Sequence, residues 1–198
     1  IDYIITMKAD IILSGVGGQG ILSIAAVIGE AALKEGLFMK QAEVHGMSQR
    51  GGDVQSNLRL SDKPVSSDLI PIGQADLIIS LEPMESLRYL PYLKKEGWLV
   101  TNSQPFVNIP NYPDMEKVYE ELGKLPHKVV LDVEAIAKDL GSPRVANIVM
   151  LGAATPFLGL SYDKIADGIR SIFSRKSEEI VELNLKALQA GYEVANKK

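Results

Sequence analysis

Hydrophobic positions along this chain follow two periods, and each change of period marks a new element. Ala9 to Ser14 is a mainly apolar, β-branched run that ends at the glycine cluster Gly15-Val16-Gly17-Gly18-Gln19-Gly20. Ile21, Leu22, Ala25, Ala26, Ile28 and Gly29 then recur at helical spacing as far as Gly36. This predicts strand, glycine turn and helix. Phe38 to Val44 predicts a second strand, and the three elements together predict a parallel, right-handed βαβ unit. Asp53 to Leu60 alternates in polarity, as a strand with one wet face does. Ala75 to Ser80 reads as a short buried strand, and Glu82 to Leu90 as a helix with Pro83 in its first turn, where proline is tolerated. Trp98 to Asn102 and Lys128 to Val133 are predicted strands, with a short helix from Met115 to Leu122 between them.

Beyond that point the spacing turns helical, over residues 134–140, 144–158, 163–174 and 177–195. The last stretch carries Ile180, Leu183, Leu185, Leu188 and Tyr192 in an amphipathic pattern that should dock on its own domain. Residues 61–74 and 103–113 are rich in turn formers and read as connections. Strands alternating with helices, followed by a helical C-terminus, predict an α/β chain. The expected fold is a three-layer α/β/α Rossmann-like domain with a mostly parallel sheet. No repeat or linker divides the chain, so residues 7–198 are expected to form one domain. Residues 1–6, ahead of Met7-Lys8, read as an extension.

Composition narrows the chemistry. The 198 residues are 46% hydrophobic and 23% charged, as in an ordinary globular protein. A net charge of −4 leaves no basic excess to neutralise a phosphate backbone, which argues against nucleic-acid binding. There is no cysteine, so the chain cannot supply a disulfide, a thiolate zinc site or ordinary iron–sulfur ligation. That absence fits a reducing cytoplasmic setting. No apolar run approaches the roughly 20 residues that span a bilayer. The two histidines, His45 and His127, are too far apart in sequence for metal-ligand spacing, and no metal site is expected. His127 follows Pro126 in a turn that should face solvent.

Two glycine-rich segments carry the candidate chemistry. In the first, Gly15, Gly17 and Gly20 match G-x-G-x-x-G, and Gly18 adds a fourth glycine. Such a turn permits positive φ and close backbone approach, and the following helix points its positive end at the loop. A nicotinamide enzyme should also place an acidic residue at the end of the second strand. Glu35 and Glu43 are poor matches. The second segment is Glu43-Val44-His45-Gly46-Met47-Ser48-Gln49-Arg50-Gly51-Gly52, in which backbone amides and the Arg50 guanidinium suit a phosphate or carboxylate. Both segments are expected at the carboxyl edge of the sheet. Asp76 and Glu82 are acidic candidates that could act as a catalytic pair only if they converged.

Four ordered blocks carry a family resemblance. They are the first glycine cluster, the Glu43 to Gly52 segment, Gly73 to Arg88 and Asn147-Ile148-Val149-Met150-Leu151-Gly152-Ala153. Together they span nearly everything from Asp10 onward. The chain resembles the gamma-type subunit family of 2-oxoacid:ferredoxin oxidoreductases. Its His-Gly-Met-Ser-Gln-Arg-Gly-Gly version of the second block is similar to the small (beta) subunit of the indolepyruvate enzymes.

The resemblance implies a complex that oxidatively decarboxylates an arylpyruvate to an acyl-CoA and reduces ferredoxin. It implies thiamine diphosphate, magnesium, 4Fe-4S clusters and coenzyme A, with the redox cofactors on a large partner subunit and none bound by this chain alone. No catalytic residue is expected here. Gly15, Gly17, Gly18, Gln19, Gly20, His45, Ser48, Arg50 and Gly51 are the candidate binding residues, facing that partner or an anionic group. Two other readings stay open on the residues alone: a stand-alone NAD(P)- or FAD-binding oxidoreductase, and a purely structural interaction module. A homodimer of the isolated chain is compatible with the complex.

Overall fold

A computed structural model describes residues 7–45, 51–107 and 109–197. The strands are β1 (Lys8–Val16), β2 (Phe38–His45), β3 (Asp53–Ser61), β4 (Ala75–Ser80), β5 (Leu93–Asn102) and β6 (Lys128–Leu131). The helices are α1 (Ile21–Lys34), α2 (Pro83–Arg88), α3 (Met115–Gly123), α4 (Val133–Asp139), α5 (Ala146–Ala154), α6 (Tyr162–Ile172) and α7 (Glu178–Asn196). The sheet order is β2-β3-β1-β4-β5-β6. β1, β4, β5 and β6 pair in parallel, whereas β3 is antiparallel to both of its neighbours.

The first βαβ unit therefore differs from the expected one. β1 and β2 run in the same direction but do not touch, because β3 lies between them. Residues 46–52 join β2 to β3 and are fewer than the dozen or so that a parallel crossover needs, so β3 can only turn back. The expected wet face of β3 is also mostly covered. Asn57 is buried, its Oδ1 accepting the Ile70 amide, because the connection from β3 to β4 folds over that face.

Alternation along the central strands explains the layers. Ile11, Leu13, Leu77 and Ile79 point to one core, completed by α1 and α4 to α7. Ile12, Ile78 and Leu99 point to the other, with Val118 and Leu122 of α3. The predicted helix over 144–158 is interrupted by 3-10 turns at Pro143–Val145 and Thr155–Phe157. α5 and α7 cross so closely that a Cβ at Gly152 would lie 2.1 Å from the Leu188 carbonyl oxygen, and one at Gly191 1.9 Å from that of Val149. The C-terminal helix thus docks on its own domain. His127 departs from its solvent-facing expectation. It is half-buried and stacks on Trp98, which in turn stacks on Phe157. Among the described residues no helix is long and apolar enough to cross a membrane.

Candidate functional site at the carboxyl edge of the sheet

β1 delivers the first glycine loop to the carboxyl edge, where its backbone adopts conformations that a side chain would resist. Gly18 has φ 102° and Gly20 φ 89°. A Cβ at Gly20 would meet the Asn147 side chain at 2.6 Å, whereas one at Gly18 would meet nothing within 4 Å. Gly20 needs to be glycine for packing as well as conformation. Gly18 needs it for conformation alone and faces open space. Gly15 is crowded too, since a Cβ there would sit 2.7 Å from Gln19 Oε1.

Gln19 proves to be a brace. Its Oε1 accepts the Val16 amide at 2.7 Å, and its Nε2 donates to the Leu81 carbonyl at 3.0 Å. Both ends of the carboxamide are thus engaged within the chain, which ties the β1 loop to the end of β4. The Gly17 amide donates to the Gly52 carbonyl at 2.9 Å, and the Gln19 amide to Val16 O at 3.2 Å. The anion cradle expected from the Gly17 to Gly20 amides is accordingly reduced. Among the described residues only the Gly18 and Gly20 amides of that stretch lack a partner.

The Gly17–Gly52 bond also ties the first glycine segment to the end of the second, just before β3. Gly51, beside that bond, has φ 77°. His45 ends β2, and its side chain lies outside the described set. Ser48 and Arg50 also fall outside the described residues, so the expectation for the guanidinium is neither met nor contradicted.

Other residues join this edge that the sequence reading did not single out. Asn102, fully buried at the end of β5, accepts the Val133 amide and donates to the Glu134 carboxylate at 2.9 Å. Asn147, at the start of α5, donates to the Gly20 carbonyl at 3.2 Å. Arg144 is exposed and has no partner among the described residues. Gly18, Glu134, Arg144 and Asn147 line an open cleft of 210 Å³ between the glycine loop and the start of α5. Asn147 had a sequence signal, because it opens the fourth family block. Arg144 had none, since a lone arginine in a turn looks like any surface residue.

The acidic candidates do not converge. Asp76 sits at the start of β4, where it accepts the Asp10 amide and the Lys94 ammonium. Glu82 lies past the opposite end of that strand. Its buried carboxylate caps α2 by accepting the Glu85 amide at 2.8 Å, and it also accepts the Phe106 amide and the Tyr112 hydroxyl. Burial, reinforced by the hydrogen bond to Glu82, holds the Tyr112 phenol far above its ordinary pKa. These groups are locked in structural roles and are not poised for proton transfer.

The strand order also separates the glycine turn from the place of a dinucleotide's ribose clamp. With β3 between β1 and β2, an acidic residue at the end of β2 lies two strand spacings, about 10 Å, from β1.

Comparisons with known proteins agree with one another. Residues 10–194 match the family described as pyruvate ferredoxin/flavodoxin oxidoreductase. A protein of Archaeoglobus fulgidus named indolepyruvate oxidoreductase subunit IorB is 36% identical over 198 residues, covering 96% of each chain. Its namesake from Pyrococcus horikoshii is 39% identical over 199 residues, covering 94% of this chain and 95% of the other. The crystal structure of a keto/oxoacid ferredoxin oxidoreductase gamma subunit from Geobacter sulfurreducens superposes with a TM-score of 0.70 at 29% identity. That match covers 96% of this chain and 99% of the other.

Proposed function

The chain belongs to the pyruvate ferredoxin/flavodoxin oxidoreductase family, and from that premise we propose that it is the small subunit of a 2-oxoacid:ferredoxin oxidoreductase acting on an arylpyruvate of the indolepyruvate type. The complex cleaves the bond between the oxo carbon and the carboxylate, releases carbon dioxide and joins the acyl group to the sulfur of coenzyme A. The electron pair passes one electron at a time to ferredoxin.

The donor set of this chain does not fit the redox groups. It has no cysteine, and the described residues hold no cluster of three or more metal-ligating side chains. In this reading thiamine diphosphate with its magnesium, and the 4Fe-4S clusters, are assigned to a large partner subunit.

The observation that carries this reading is the bond from the Gly17 amide to the Gly52 carbonyl, which ties the end of the second glycine segment to the first. The glycines on either side of that bond let another polypeptide approach the backbone closely there. Beside it, Arg144 and the Gly18 amide offer donors to an anionic group of coenzyme A or the oxoacid, while Asn102 engages the neighbouring Glu134 carboxylate. Arg50, from the second segment, is assigned the same task.

The test is co-expression with the large subunit, followed by arylpyruvate-dependent ferredoxin reduction in the presence of coenzyme A. Activity should require both chains. Arg144→Ala and Arg50→Ala should each raise KM for coenzyme A or the oxoacid about tenfold, equivalent to about 1.4 kcal/mol of lost binding. Turnover by the isolated chain, or a chain that never associates with a thiamine-dependent partner, would sink the proposal.

A further inference from the structure

We propose that two copies of this chain pair through β2, antiparallel about a two-fold axis at Gln41, so that their sheets become continuous. β2 is one of the two sheet edges and, among the described residues, pairs as a strand only with β3. The opposite edge, β6, has four residues, a common way of blunting an edge, whereas β2 has eight. β2 contains neither proline nor glycine. Its outer side meets no further strand among the described residues and can serve as a template.

The side chains select the occupant. Phe38 and Val44 are 48% and 54% exposed and share one face of the strand. When β2 meets its own copy centred on Gln41, Phe38 lies opposite Val44, Met39 opposite Glu43 and Lys40 opposite Ala42. Apolar meets apolar and no like charges face each other. A register centred on Lys40 sets two ammonium groups opposite each other, and one centred on Glu43 sets two carboxylates. A register centred on Ala42 leaves Phe38 beyond the paired strand.

The helix above this edge is prepared in the same way. Gly29 of α1 faces Met39 of β2, and Leu22, Ala26 and Leu33 follow the same helical line at spacings of three and four. All three are exposed, Leu22 by 52% and Leu33 by 56%. An apolar stripe on a helix otherwise packed on its own sheet is placed to meet the same stripe of the second copy across the axis. The pairing makes no use of the glycine loop after β1, and it does not depend on the functional reading above.

The absence of cysteine makes the test clean. Gln41→Cys places two thiols directly opposite each other, with Cα atoms about 4.5–5.5 Å apart, which is within disulfide reach. Mild oxidation of this variant should give a covalently linked pair, whereas Glu120→Cys on α3 should not. In light scattering the unmodified chain should show twice its 21.6 kDa mass. Phe38→Lys with Val44→Lys should halve the observed mass while circular dichroism stays unchanged. A monomer at every concentration, with no link through position 41, overturns the proposal. So does loss of large-subunit binding in the lysine variant with self-association intact, because the edge would then belong to the partner.

Discussion

Gly18 and Gly20 stand two positions apart in one loop, yet substitution should affect them differently. Gly18→Ala meets only the left-handed backbone penalty, so unfolding free energy should fall by about 1 kcal/mol. Gly20→Ala adds a collision with Asn147 at 2.6 Å and should cost more, about 3 kcal/mol. Urea denaturation of the two variants measures the difference, and equal losses would mean that Asn147 moves aside freely. Asp10 makes a second prediction at this scale. Burial alone would push its carboxyl up, but hydrogen bonds and charge from Arg59 and Lys8 outweigh that and hold it below the ordinary 3.8. Its contribution is therefore complete above pH 3.8 and is lost as the pH falls through the lower folded value. Asp10→Asn leaves the mostly buried Arg59 without its countercharge and should cost about 3 kcal/mol at neutral pH. In the same variant the acid-side decline of the urea midpoint should flatten.

Among the elements, the contact between α5 and α7 is the tightest. Gly152 and Gly191 bring the two helix backbones together, and neither backbone carbonyl in the path of a new Cβ can swing away. Gly152→Ala or Gly191→Ala should each lower stability by about 3 kcal/mol, read as a drop in thermal midpoint. α2 has a different dependence. It is only six residues long, and Glu82 caps it while also holding the Tyr112 hydroxyl and the Phe106 amide. Tyr112→Phe removes one donor to a buried carboxylate and should cost about 2 kcal/mol. Increased proteolysis within residues 103–113 should accompany that loss, since Glu82 fastens this connection to α2.

At the scale of the whole molecule, strand order decides which ligands the glycine turn can serve. A dinucleotide needs the turn and an acidic residue on an adjacent parallel strand, and the insertion of β3 separates the two. The isolated chain should show no saturable change in NAD(P)H fluorescence on titration. Saturable binding at micromolar concentrations would reinstate a stand-alone dehydrogenase. The carboxyl edge itself gathers residues from four separate stretches: Gly18 after β1, Leu81 after β4, Asn102 at the end of β5 and Asn147 on α5. Only closure of the sheet makes them neighbours.

The sequence alone determined the elements, the layer architecture and the family blocks, because period, glycine position and residue order are local properties of a chain. It also showed which redox groups the chain cannot ligate, since a missing cysteine is missing in any fold. It did not show that β3 would separate β1 from β2, that Gln19 would spend its carboxamide on Val16 and Leu81, or that Arg144 would come to stand beside Gly18. Those facts depend on partners up to 127 positions apart, as Gly20 and Asn147 are. Strand pairing and long-range hydrogen bonds are settled by competition among many distant groups, so only the assembled tertiary structure could decide them.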